Sequence, residues 1–139
     1  GSWEKALPGL KINEKLVPFQ QRIKDSQTQN FDVVVTLWGG DYPEGSTYYD
    51  LFKDGASYNN GQFKNDTYTS AVKKAETTDV LDQSARDKDY KAAEAALFKD
   101  SNINPLYFRS GYSLQNPKVT GMIINTTGLN QDWKLAVKK

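Results

Sequence analysis

The sequence has 139 residues, enough for one domain, but its mean hydropathy of −0.71 is polar for a self-contained globule and indicates a piece of something larger. Its 18 basic and 17 acidic side chains leave a net charge of +1, which gives no overall field that would attract nucleic acid or an anionic membrane. Cysteine and histidine are both absent, which excludes disulfides, Ser-His-Asp and Cys-His catalysis and the common zinc sites.

The first third of the chain carries the pattern of a strand, a helix and a second strand. Alternating apolar and polar residues at 10–16 predict a half-buried strand. A proline then favours the first turn of a helix over 18–29, with Phe19 and Ile23 as its apolar face. The nearly continuous apolar run at 31–38 predicts a strand buried on both faces. Since a crossover of about a dozen residues joins parallel strands, the sequence predicts an α/β fold with a βαβ core.

The turn that follows this strand is the candidate ligand site. Gly39 and Gly40 permit a sharp turn and a close approach of the backbone to a ligand. Ligands of open α/β sheets bind beyond the carboxyl ends of the strands, where Trp38 and Asp41 flank the two glycines. By residue type alone, Trp38 is more often a core residue than a ligand wall. Asp41 fits equally well as a cap that accepts a backbone N–H two residues further on.

Three helices are predicted after this turn. Ser46 caps a short helix, Asn65 or Asp66 caps a helix that ends near residue 77, and Ser84 caps a helix that ends near residue 100. Phe63 is placed to pack against the start of the second of these. The positions at core spacing are Tyr68, Val72 and Ala75 in the second helix and Tyr90, Ala93 and Leu97 in the third.

The remainder of the chain returns to strand-like patterns. The stretch 103–114 predicts a strand that carries aromatic residues, and 119–124 predicts another short strand. Apolar and polar residues alternate again over 132–139.

In this order the motifs resemble the solute-binding proteins of oligopeptide ABC transporters, which are extracytoplasmic peptide receptors. The resemblance rests on WGGDYP at 38–43, SYNNGQFKNDTY at 57–68, NPLYFR at 104–109 and VTGMIINTTG at 119–128, and it spans essentially the whole chain. It implies a C-terminal fragment of one lobe of a two-lobed, periplasmic-binding-protein-like fold. The α/β lobe would then run over about 10–112 and a return segment over about 113–139.

The resemblance also implies a role for individual residues. Asp41 matches the acid that holds the α-ammonium of a bound peptide, Trp38 matches an aromatic pocket wall, and Gly39 matches a backbone contact to the peptide main chain. Another wall of the site matches Tyr107, Phe108 and Arg109.

The implied receptor captures an extended oligopeptide between its lobes and delivers it to the permease subunits of a transporter. Its partners would be the peptide, the permease and the missing N-terminal lobe of the same chain, and not nucleic acid. No enzymatic activity, cofactor or metal is expected. The expected setting is outside the cytoplasmic membrane, with a lipid anchor, in a Gram-positive organism.

Two alternatives remain open from the sequence. One is a receptor for another solute, such as an oligosaccharide or a dipeptide, because a scaffold does not fix its ligand. The other is a glycosidase, in which Asp41 with Glu44 or Asp50 would form a carboxylate pair beside aromatic residues.

Overall fold

The computed structural model describes residues 1–139, which divide into two compact units, Gly1–Val34 and Val35–Lys139. The division predicted near residue 112 stays a prediction. The helices are α1 (Ser2–Ala6), α2 (Phe19–Gln27), α3 (Ser46–Tyr49, continued by a 3-10 turn at Asp50–Phe52), α4 (Asp66–Glu76) and α5 (Gln83–Lys99). The strands are β1 (Val119–Thr120), β2 (Ile123–Ile124), β3 (Gln131–Asp132) and β4 (Val137–Lys138).

The first unit contains α1 and α2. The helix predicted over 18–29 is confirmed as α2, but its expected apolar face is wrong at Phe19, which is 70% exposed. The buried residues of α2 are Asp25 and Ser26. The carboxylate of Asp25 is compensated by three polar side chains, Gln21 at 2.8 Å, Lys15 at 3.0 Å and Asn30 at 3.3 Å. Polar contacts therefore anchor this helix where apolar packing was expected.

The two strands predicted for the βαβ core do not form a ladder in this chain. The structure places 10–16 and 31–38 outside any helix or strand, and Val33, Val35 and Leu37 are each more than half exposed. A β-strand requires hydrogen bonds to a neighbouring strand. No other segment of this chain supplies that neighbour to either stretch.

The core of the second unit lies between α4 and α5. All six positions predicted at core spacing in these helices are buried, and so are Phe63 and Ala96. The ring of Phe63 meets that of Tyr68 edge-on, with centroids 5.2 Å apart, which confirms its predicted place at the start of α4.

The caps of these helices follow the sequence in one case and depart from it in the other. Asn65 caps α4 as predicted, since its side chain accepts the N–H of Tyr68 at 3.0 Å. The prediction that Ser84 caps α5 is wrong. Asp82, which is still extended, accepts the N–H of Ala85 at 3.0 Å, so the helix begins one residue before Ser84.

The carboxyl-terminal part of the second unit forms two small antiparallel pairs. The strand predicted over 119–124 is divided into β1 and β2, because Gly121 between them has φ +77°. β1 pairs with β4 and β2 pairs with β3. The strand predicted over 103–114 forms no ladder. None of the helices combines the length and the apolar composition that crossing a membrane requires.

Candidate ligand-binding site

One buried threonine of α3 positions both Trp38 and Asp41. The indole Nε1–H of Trp38 donates to the carbonyl oxygen of Thr47 at 2.9 Å, and the backbone N–H of Asp41 donates to its Oγ1 at 3.0 Å. Thr47 itself is only 5% exposed. The indole and the acid are therefore held in place by the same residue of one short helix.

The carboxylate of Asp41 is exposed and makes no ion pair or hydrogen bond with another side chain. The capping role considered from the sequence is wrong, because the residue two positions further on is Pro43, which has no N–H to donate. The turn is stabilised instead by the backbone N–H of Asp41. Its carboxylate is thus left unpaired in a turn that Thr47 fixes through the backbone.

The indole of Trp38 is 37% exposed, and its polar atom is already satisfied within the chain. The ring of Tyr58 approaches it edge-on, with centroids 4.7 Å apart, and is itself 60% exposed. In the sequence, Tyr58 is marked only as an aromatic residue in a turn-rich stretch. Together the two rings form a partly exposed aromatic pair at the start of the turn that contains Asp41.

The two glycines of the turn have different tasks. A Cβ on Gly39 would meet nothing within 4 Å, so the backbone there is open to an incoming group. A Cβ on Gly40, which is buried, would lie 2.8 Å from the hydroxyl oxygen of Tyr48 and 3.2 Å from Cγ2 of Thr47. Gly40 is therefore packed closely against Tyr48 and Thr47, and a side chain there would displace the Tyr48 ring.

A loop from the far end of the unit closes on this turn. The N–H of Gly128 donates to the carbonyl oxygen of Gly40 at 2.8 Å. Gly128 has φ +65°, and a Cβ there would lie 2.7 Å from the carbonyl oxygen of Asp41. The sequence predicted only a loop around residue 128, and the contact depends on residues almost ninety positions apart, which no local pattern records.

The second predicted wall is not joined to this turn by any hydrogen bond or ring contact. Tyr107, Phe108 and Arg109 lie outside any helix or strand, and all three are exposed. Their place in a binding site stays a prediction.

The other acids proposed for a carboxylate pair have structural partners. Glu44 is paired with Arg86 and accepts the N–H of Ser46 at 2.7 Å, while Asp50 lies 2.6 Å from the Nζ of Lys53. Partial burial opposes ionisation of Glu44, but the hydrogen bonds from Ser46 and the charge of Arg86 hold its pKa below its usual range. A general acid needs a raised pKa, so this geometry does not favour a glycosidase. The structure brings together no group of three or more acidic side chains that could hold a metal ion.

The whole chain was compared with known proteins. No protein-family model matches the sequence. Over 139 residues the chain is 51% identical to a dipeptide-binding protein of Lactococcus lactis subsp. cremoris, a match that covers 99% of this chain and 25% of that protein. Several further relatives of this chain are also named as peptide-binding proteins, and one at 23% identity is named as a probable deoxycholate-binding protein. The periplasmic murein peptide-binding protein MppA of Escherichia coli is 33% identical over 123 residues, which cover 88% of this chain and 22% of that protein. The chain thus spans about a quarter of the length of these peptide-binding homologues.

Solved structures of such receptors confirm the fold class. The substrate-binding domain of an oligopeptide ABC transporter from Bacillus anthracis matches 97% of this chain with a TM-score of 0.78 and 30% identity, over 26% of its own length. The pheromone receptor PrgZ shares the fold, with a TM-score of 0.79 and 20% identity over 98% of this chain and 25% of that one. The chain has the fold of part of a lobe of a periplasmic-binding-protein-like peptide receptor.

Proposed function

We propose that this chain is part of the substrate-binding component of an ABC transporter and that its 38–41 turn binds the amino-terminal end of an oligopeptide. The observation that carries the proposal is the exposed, unpaired carboxylate of Asp41 in a turn where Thr47 bonds both to the Asp41 backbone and to the indole of Trp38. Glu44, only three residues away, is by contrast engaged by Arg86. An acid kept free in such surroundings fits a role in binding a cation from outside the chain.

The chemistry of a peptide amino terminus fits this turn. A charge-assisted hydrogen bond from an α-ammonium to Asp41 contributes about 1.5 to 3 kcal/mol. The open backbone at Gly39 allows the peptide main chain to come close, which gives affinity independent of the peptide's side chains. Trp38 and Tyr58 offer apolar surface to the first side chains. Tyr107, Phe108 and Arg109 are proposed as a further wall.

Residues outside this chain are proposed to complete the site. The homologues are about four times as long as this chain. Large apolar side chains in the stretch 103–114 are strongly exposed, among them Phe108 at 103%, Tyr112 at 96% and Leu114 at 103%. Closure of a second lobe would cover such surface and exclude water around Asp41, which strengthens its bond to an ammonium. The loaded receptor would then deliver peptide to the permease subunits, outside the cytoplasmic membrane, from a lipid anchor and without enzymatic activity. The 139-residue chain alone is expected to bind peptide weakly or not at all.

The substrate class is tested by calorimetry on the longer receptor that contains this chain. Dipeptides, tripeptides and longer peptides are compared with oligosaccharides of similar mass. Binding of peptides alone supports the proposal, whereas binding of oligosaccharides alone refutes it.

The ammonium role is tested by Asp41→Asn with matched peptides that carry a free or an N-acetylated amino terminus. Affinity for the free-amine peptide should fall by about 10- to 150-fold. The acetylated peptide has no ammonium and should lose less than about twofold. Asp32→Asn is the matched control, because it removes the same charge from an exposed acid nearby in the sequence. Equal losses for the two peptides would contradict the role assigned to Asp41.

A further inference from the structure

We propose that the ion pair between Glu44 and Arg86 is the positioning element of the peptide site. It fixes the amino-terminal end of α3 on α5 and thereby sets where Thr47 holds Trp38 and Asp41. The inference rests on the proposed function for its binding readout, but its structural readout is independent of any ligand.

The carboxylate of Glu44 uses both of its oxygens. Oε1 is paired with the guanidinium of Arg86 and accepts the hydroxyl of Tyr90 at 3.1 Å. Oε2 accepts the backbone N–H of Ser46 at 2.7 Å and also its hydroxyl. One side chain therefore connects the first residue of α3 with two residues of α5, more than forty positions along the chain.

Arg86 is well placed to anchor this contact. Its side chain is only 14% exposed, so solvent screens the charges of this pair less than it screens those of a fully exposed salt bridge. Its Nε donates to the carbonyl oxygen of Ala75, the penultimate residue of α4, at 3.2 Å. The bond to Ala75 thus fixes the guanidinium of Arg86 on α4. The guanidinium in turn holds Glu44, which lies between Asp41 and α3.

The helix α3 requires outside support because it has only four residues, and a helix of that length is not stable by itself in water. Its carboxyl-terminal end is held by Tyr49, whose ring stacks on Tyr90 at 4.4 Å and whose carbonyl oxygen accepts the hydroxyl of Tyr68. Its amino-terminal end is held by Glu44 through Ser46. Glu44 also lies in the short link that joins Asp41 to this helix.

The path from this pair to the site is short. Thr47 directly follows Ser46, and it accepts the indole N–H of Trp38 and the backbone N–H of Asp41. Without the contact to Glu44, the amino-terminal end of α3 is no longer held on α5. Thr47 lies at that end, so the groups that bind Trp38 and Asp41 become mobile with it. The carboxylate of Asp41 would then occupy several positions. A peptide would have to order this carboxylate on binding, which lowers its affinity.

The structural test uses the 139-residue chain with Trp3→Phe and Trp133→Phe, which leaves Trp38 as the sole source of indole fluorescence. Glu44→Gln and Arg86→Gln should each increase acrylamide quenching of Trp38 by about twofold or more, since the indole loses its fixed acceptor. Arg86→Lys keeps the charge and should give an intermediate value. Lys74→Gln is the matched control: it breaks ion pairs with Asp79 and with Asp89 on α5, at 2.7 and 3.1 Å, neither of which involves α3, and quenching should not change.

The binding test uses the longer receptor and the same pairs of free and N-acetylated peptides. Glu44→Gln should reduce affinity for the free-amine peptide by roughly five- to tenfold and lower the ratio of the two affinities. A merely structural effect, measured as a lower Tm, would leave the ratio of the two affinities as it is in the control Lys74→Gln. If the wild-type receptor binds no peptide, the proposed function fails while the quenching of Trp38 still decides the positioning role. Unchanged quenching together with an unchanged ratio in Glu44→Gln and Arg86→Gln would overturn the inference.

Discussion

The hydroxyl of Tyr68 offers a direct test of how the core holds the site. Tyr68 is fully buried in α4, and its hydroxyl donates to the carbonyl oxygen of Tyr49 at the end of α3. Tyr68→Phe removes this donor, fills nearly the same volume and leaves the carbonyl without it. Deleting one partner of a buried hydrogen bond costs about 1 to 3 kcal/mol in the free energy of unfolding.

The expected loss corresponds to a decrease in Tm of roughly 3 to 12 °C for a chain of this size. Tyr42→Phe provides a matched control, because it removes a hydroxyl that lies 2.9 Å from that of Ser46 on an exposed side chain. Its effect should stay within about 0.5 kcal/mol. Urea unfolding followed by circular dichroism measures both variants. Similar small losses for the two would show that the Tyr68 hydroxyl does not join α3 to the core.

Tyr68 also makes the free energy of unfolding decrease at alkaline pH. Burial, together with the nearby charge of Asp50, raises the pKa of Tyr68 well above its ordinary value. A phenol whose pKa is raised on folding contributes stability that is complete below its unfolded pKa of about 10 and is lost as the pH rises above it. The wild-type free energy of unfolding should therefore fall more steeply above about pH 10 than that of Tyr68→Phe. Parallel curves for the two proteins would refute this assignment.

Two further predictions concern other parts of the chain. Gly128→Ala should lower the free energy of unfolding by about 1 to 2 kcal/mol or more, because it places a Cβ on a left-handed backbone against the carbonyl oxygen of Asp41. Gly111→Ala is the control and should cause no such loss, because a Cβ there has open space. Thermal melts compare the two variants. In the first unit, hydrogen bonds from Gln21 and Lys15 lower the pKa of Asp25, so its stabilising contribution is present above the unfolded pKa of about 4 and is lost as the pH falls below that value. The amide NMR signals of α2 should lose dispersion in that acidic range, and Asp25→Asn should make them insensitive to it.

The sequence predicted α4 and α5 well because the signals of a helix are local. Tyr68, Val72 and Ala75 repeat at helical spacing, and the cap at Asn65 acts over three residues. The displaced cap at Asp82 shows the limit of this reasoning: an acid two residues before Ser84 serves the same purpose, and only the backbone path selects between them.

The Trp38–Asp41 turn is defined by adjacent residues, so the sequence by itself determined the candidate acid and its neighbouring indole. The tertiary structure decided what surrounds them, since Thr47, Tyr58 and Gly128 approach through folding of separate segments. The same holds for the predicted strands at 10–16 and 31–38. Their apolar pattern is local, but a strand exists only when another segment completes its hydrogen bonds, and no pattern within one segment specifies that partner.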